Sequence, residues 1–262
     1  MTHTFFLYVC VIFMKKKNHN FTLFGKTKVR IGMRKGCEMR LFLVQLAVAP
    51  VFIGLFFIYI KDKYEKEPWH MLFLGLFYGM CMTAVIYMAG IAAERVFPHE
   101  ETPLYTSFVS SAGIEETIKY IFLILLIWKN KNFNEPLDGI VYGVFVSMGF
   151  AGIENIIYVF DSRMGGYQTA MARAVLSVPS HGLFGVLMGY HLGLAKFSGQ
   201  RRQMLLAWLI PYFAHALYNL FLLEKSHIYW IFFGVLQVWL WWRGILCIKR
   251  LTLISPFRFK KT

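Results

Sequence analysis

The apolar residues of this chain fall into long blocks separated by short charged loops. From Met39 onward seven such blocks run at roughly 41–60, 70–92, 105–128, 138–160, 174–197, 204–223 and 227–248. Each approaches or exceeds the ~20 residues a helix needs to cross a bilayer core. The pattern predicts an all-α, polytopic membrane helix bundle of about seven transmembrane helices. Residues 1–38 break it. Phe5 to Met14 is apolar but spans about half a membrane, and Lys15, Lys16 and Lys17 follow the apolar run instead of preceding it, unlike a signal peptide. The expectation is a basic extension over 1–38, from a mis-assigned start with the working chain beginning at Met39, or else an interfacial basic arm. The bundle then occupies 39–250, and 251–262 forms a basic cytoplasmic tail.

Composition agrees: 57% of residues are hydrophobic and 16% charged, where a soluble domain carries about 25% charged residues. The net charge of +14 does not argue for nucleic acid, because the basic residues crowd the loops of one side. Thirteen, including Lys61, Lys129, Lys196, Arg201 and Lys249, fall on one side and five, including Arg95 and Arg173, on the other. The positive-inside rule places the first set in the cytoplasm, with Thr262 inside. Four scattered cysteines without a C-x-x-C indicate neither a disulfide framework nor a thiolate metal site.

Within the blocks a few ionisable residues stand out. Glu115, Glu116 and Lys119 lie in the third block, and a charge at the centre of a membrane helix costs about 3 kcal/mol on insertion scales. Glu115 and Lys119 are four apart on one helix face, so one ion pair is available. Glu154 in the fourth block, His181 in the fifth and His215 in the sixth fall at about the same depth, some 9–15 Å below the outer surface at 1.5 Å per residue. Small residues at four-residue spacing, Gly139, Gly143, Ser147 and Ala151 against Gly185, Gly189 and Gly193, let the fourth and fifth helices approach closely and bring Glu154 near His181. Asn219 shares a face with His215. Asp138 reads as the N-cap of the fourth helix, and His191 as structural.

Carboxylates, imidazoles and an amide at one depth make a hydrolase constellation with water as nucleophile: a general base, and donors for a tetrahedral oxyanion. No serine or cysteine has an evident base, since Ser180 is too close in sequence to His181 to face it. Glu154, His181 and His215 would equally suit Zn²⁺, and without an H-E-x-x-H motif the residues leave open a zinc and a metal-independent mechanism.

These motifs resemble the PrsW family of bacterial intramembrane proteases. Its E-E-x-x-K motif is matched by Glu115-Glu116-Thr117-Ile118-Lys119, its F-x-x-x-E by Phe150 to Glu154, and its fifth-helix histidine by His181. The segments Asp138 to Gly143 and Asp62 to Pro68 are also similar, so the resemblance covers roughly 39–250. Asn219 departs from the acidic residue expected after the sixth-helix histidine in some members. The resemblance implies a site-one protease in the bacterial cell membrane, surrounded by lipid, that cuts a single-pass anti-sigma factor outside the cytoplasm and so leads to sigma-factor release under envelope stress. Glu115 or Glu116 would activate water, Glu154 and His181 assist or bind metal, and His215 stabilise charge, with Lys119 and Asn219 in support.

Three other readings fit the residues less well. A CAAX-type membrane protease would place its site near the cytoplasm, against the charge count. An ion- or proton-coupled transporter would show repeats, and none is convincing between 39–150 and 151–262. A binding or immunity protein without activity would tolerate loss of Glu116 or His181.

Overall fold

A computed structural model describes residues 28–97, 102–162, 165–224 and 226–259, with side chains from Glu38 onward. The helices are α1 (Lys28–Lys61), α2 (Trp69–Val96), α3 (Ala112–Ile127), α4 (Pro136–Phe160), α5 (Tyr167–Val175), α6 (Ser177–Ser198), α7 (Arg202–Leu223) and α8 (His227–Leu253). Among the described residues there is no strand, and the all-α bundle is as expected. Six segments are long and apolar enough to cross a membrane: Glu38–Lys61, Trp69–Val96, Pro136–Phe160, Tyr167–Ser198, Arg202–Leu223 and His227–Leu253. The expected extension over 1–38 lies mostly outside the described residues, although the α1 backbone begins at Lys28. The end of the tail, 260–262, also lies outside them.

The third expected block, 105–128, is helical but not one regular helix. Thr102 caps a single turn, Pro103–Tyr105, by accepting the Tyr105 N–H at 3.2 Å. A π-helical segment, Thr106–Ser111, follows and leads into α3. Such a turn inserts one residue into the α-helical ladder and re-aims the side chains after it. The missing side chain of Gly113 makes room there, since a Cβ would collide with the Phe108 carbonyl. The residues re-aimed are those around Glu115 and Glu116.

Helices α4 and α6 form the centre, with 72% and 67% of the most apolar windows of their spans buried, against 28% for α1 and α8. Their approach is set by glycine. A Cβ on Gly139 would strike the Gly189 carbonyl, one on Gly143 the Gly185 carbonyl, and one on Gly193 the Pro136 carbonyl. The small-residue stripes therefore mate, as their spacing predicts. A second contact of this kind was not expected: Gly79 of α2 meets Val146 and Gly149 of α4. The remaining helices pack outside this pair and leave apolar faces outward, among them Phe52, Ile53, Leu125, Val235 and Val238.

At the start of α4 the structure corrects the reading of Asp138. The N-cap is Glu135, and Asp138 sits three residues in. Its Oδ2 accepts the backbone N–H groups of Asn134 and Glu135, both at 2.8 Å. It thus satisfies orphan donors from inside the helix, as the second half of a capping box does.

Candidate active site

The acids and imidazoles singled out by sequence come together in the interior. Each is held by a neighbour on a different helix or turn. On α3, Glu116 is fully buried and pairs through Oε1 with Lys119 Nζ at 2.6 Å, one helical turn on. The same oxygen lies 2.9 Å from His215 Nδ1 on α7. Lys119 therefore pairs with Glu116 and not with Glu115, which shares its face at i, i+4. Glu115 instead accepts from the Ser111 hydroxyl at 3.0 Å, and Ser111 in turn accepts from Asn219 Nδ2 at 2.8 Å.

On α4, Glu154 Oε2 lies 3.0 Å from His181 Nε2 of α6 and 2.5 Å from Arg173 Nη2 of α5. Arg173 also donates from Nε to Asn155 Oδ1 at 2.8 Å. Two histidines and two carboxylates thus form matching arrangements, Lys119–Glu116–His215 and Arg173–Glu154–His181. The imidazoles meet edge to face, their centroids 5.2 Å apart. Phe184 stacks on His215 at 4.8 Å, and Phe150 meets His181 edge-on at 5.3 Å, so both rings are fixed by packing as well as hydrogen bonding.

The atoms left over are informative. His215 uses Nδ1 toward Glu116, so Nε2 faces Glu115 Oε2 at 3.9 Å. His181 uses Nε2 toward Glu154, and its Nδ1 is buried without a hydrogen-bond partner, as is Glu115 Oε2. Buried polar atoms without partners are rare and call for an explanation. One ligand atom from each of Glu115, His181 and His215 lies within 4.8 Å of the others, the group among the described residues that could hold a metal ion. Two imidazoles and a carboxylate are a catalytic zinc donor set that leaves a position open. Each imidazole donates its other nitrogen to a carboxylate, as metal-ligating histidines do. Three carboxylates share two basic side chains, with Lys119 on Glu116 and Arg173 on Glu154, which leaves Glu115 facing His215. The residues present therefore fit a divalent cation.

A cavity of about 90 Å³ opens beside this cluster, lined among others by Glu154, Arg173, His181, His215, Tyr218 and Asn219. Glu115 and Glu116 stand behind that lining, touching it through Ser111 and His215. Ser180 also lines it, but its hydroxyl is engaged by Gln237 Nε2 at 3.0 Å and not by His181, consistent with water as nucleophile. Sequence reading missed Arg173 and Ser111 as partners of these acids. The hydropathy pattern places Arg173 in a loop, although it precedes His181 by about two helical turns. His191 bonds Gln203 at 2.6 Å, away from the cluster.

A bundle of membrane-crossing helices with carboxylates and imidazoles gathered about an interior cavity is the architecture of an intramembrane peptidase, and the protein is a multi-pass membrane protein of that class. The model of the PrsW family intramembrane metalloprotease matches residues 67–243, and the chain belongs to that family. It is 35% identical to Protease PrsW of Geobacillus kaustophilus over 212 residues, covering 79% of this chain and 91% of the relative. It is 37% identical to Protease PrsW of Clostridioides difficile over 192 residues (71% and 81%), and 34% identical to that of Bacillus subtilis over 212 residues (79% and 94%). No solved structure matches the chain.

Proposed function

We propose that this peptidase makes the first cut in a single-pass membrane anti-sigma factor, on the extracytoplasmic side of a bacterial cell membrane, and so starts sigma-factor release under envelope stress. The observation that carries the chemistry is the convergence of Glu115, His181 and His215, with Glu115 Oε2 and His181 Nδ1 left without partners. In this reading those three residues hold a zinc ion, Glu115 taking the ligand place expected for Glu154, whose Oε2 is occupied by Arg173 and His181. Zinc bound there would lower the pKa of water toward neutrality and polarise the substrate carbonyl. Water adds to the peptide carbonyl carbon. Its proton passes to a carboxylate of the Glu115–Glu116 pair and on to the departing amine as the C–N bond breaks, giving a carboxylate and an amine. Asn219, at the cavity wall, is placed to donate to the carbonyl oxygen as it gains charge.

Two features support the side of the cut. The site lies toward the ends of α4 and α7 and the start of α6, and the loops at those ends are the poor ones in Lys and Arg, the extracytoplasmic signature. The C-terminus is then cytoplasmic, which a reporter fused after Thr262 tests. The activity is tested by co-expression with tagged single-pass anti-sigma factors of the same genome, comparing the intact protein with Glu116→Ala and His181→Ala. A shortened, membrane-retained fragment made only by the intact protein is expected. Full-length substrate in all three, for every anti-sigma factor tried, would end the substrate assignment. Metal analysis of the purified protein separates the glutamates. Glu115→Gln is expected to lose zinc, and Glu116→Gln to lose turnover with a smaller loss of zinc affinity, because Glu116 orients His215 without touching the ion.

A further inference from the structure

Arg173 lies on α5, the nine-residue helix set off from α6 by Leu176, whose φ of −109° and ψ of −62° break the helical run. It is nearly fully buried, at 3% exposure. Its guanidinium reaches two neighbouring residues of α4 at once, Glu154 Oε2 at 2.5 Å and Asn155 Oδ1 at 2.8 Å, and sits 4.0 Å over the Tyr158 ring. Asn155 passes the constraint on, donating to the Ala47 carbonyl of α1 at 2.8 Å. One side chain thus ties α5, α4 and, through Asn155, α1 into a fixed arrangement around Glu154.

We propose that Arg173 is a positioning residue for peptide hydrolysis, holding Glu154 so that His181 donates Nε2–H to it and keeps Nδ1 directed at Glu115 and His215. The proposal rests on the metal reading above for what Nδ1 then binds. A planar guanidinium meets a carboxylate and an amide oxygen together with fixed angles, which an ammonium cannot do. Without it, Glu154 would be a buried carboxylate held only by an imidazole. The carboxylate would turn away, or the imidazole would rotate, and in either case His181 would no longer present Nδ1. Lys119 stands in the same relation to Glu116 and His215, so the site carries a buried cation behind each of two imidazoles.

The test uses the full-length protein in detergent micelles with Arg173→Lys, Arg173→Met and the pair Arg173→Met/Glu154→Gln. The readouts are kcat and KM on a cleaved membrane substrate, zinc affinity by chelator competition, and the electronic spectrum of the Co²⁺-substituted protein. Losing an outer partner of a metal-binding histidine costs about 10–100-fold in metal affinity or activity. Arg173 stands one contact further out, behind Glu154, so Arg173→Met is expected to lower kcat and zinc affinity by up to that factor, to leave KM nearly unchanged, and to alter the Co²⁺ spectrum. Arg173→Lys should recover part of the loss. The double variant, with no uncompensated carboxylate, should fold at least as well as Arg173→Met and still bind Co²⁺ abnormally, which keeps the test open if the single variant does not fold. A native Co²⁺ spectrum with unchanged kcat in any folded variant lacking Arg173 overturns the proposal. A wild-type protein that cleaves without metal instead removes the zinc reading, and the kcat and KM pattern alone then judges Arg173.

Discussion

The Lys119–Glu116 pair sets the energetic stakes at the level of single residues. Both side chains are fully buried and 2.6 Å apart. A buried pair of this kind adds little net stability, but removing one partner strands the other and costs about 3–5 kcal/mol. Lys119→Met is therefore expected to destabilise the protein by that order, and Lys119→Met/Glu116→Gln to recover most of it. Unfolding of the two variants in micelles checks this, and equal destabilisation by both would show that the charge is not what matters. The sequence marked these residues as unusual because charge is expensive in a membrane helix, and the structure does gather Glu115, Glu116, Glu154, His181 and His215. What it could not assign were the pairings. Both i, i+3 and i, i+4 partners were sterically available to Lys119, and the outcome depends on Ser111 and Asn219 occupying Glu115. Arg173 was hidden by the same logic in reverse. A basic residue near a block boundary looks solvated until α5 folds back and buries it.

Helix contacts at the next scale were easier to foresee where they rest on small residues. The Gly139, Gly143, Gly185 and Gly189 contact follows from a stripe visible in each helix, and it draws Glu154 and His181 together. A Cβ on Gly189 would overlap the Gly139 carbonyl and the Ile140 backbone, which cannot rotate aside as a side chain would. Gly189→Ala is expected to destabilise by about 1–3 kcal/mol or more, the usual cost of overpacking, and to depress cleavage by separating the two helices. Gly234, which meets nothing within 4 Å, is the control, since Gly234→Ala should retain both stability and activity. Full activity in Gly189→Ala would show that the α4–α6 spacing does not set the site. The α2–α4 contact is less legible: α2 does carry Gly75 and Gly79 at four-residue spacing, but they meet Phe145, Val146 and Gly149 of α4, a face with one glycine and so no matching stripe. The π-helical segment before α3 escaped notice because hydropathy reports length and not hydrogen-bond register; the tight passage of Phe108 past Gly113 became visible only in three dimensions.

Across the whole molecule, α4 joins two polar regions of opposite character. Asp138 and Glu154 are sixteen residues apart on it, roughly 24 Å along the axis. At the Glu154 end, Glu116 and Glu154 are each paired with a buried cation. At the Asp138 end, Asp62, Glu67, Glu135 and Asp138 are buried together. Their described contacts are mainly hydrogen bonds: the Glu67 N–H to Asp62 at 3.2 Å, the Tyr142 hydroxyl to Glu67, and the Asn134 and Glu135 N–H groups to Asp138, both at 2.8 Å. Burial therefore dominates, pushing Asp62 up to about 6 and Glu67 and Glu135 each up to about 7. The hydrogen bond from Tyr142 and the charge of Lys66 oppose the shifts at Glu67 and Asp62 only in part. Raised values mean that the folded state holds protons which the unfolded chain releases nearer pH 4 to 4.5. Stability from these groups is then fully present below that range and is lost as the pH rises through about 6 to 7. The protein is expected to resist thermal unfolding in micelles better near pH 5 than near pH 8. Glu67→Gln, which keeps the shape and removes the ionisation, should flatten that slope while leaving the cleavage site intact. A wild-type profile that instead rises toward pH 8, or a Glu67→Gln profile as steep as wild type, would place the pH dependence elsewhere. Because this end of the bundle is the one with basic loops, such a profile would make the fold respond to pH on the face opposite the peptidase site.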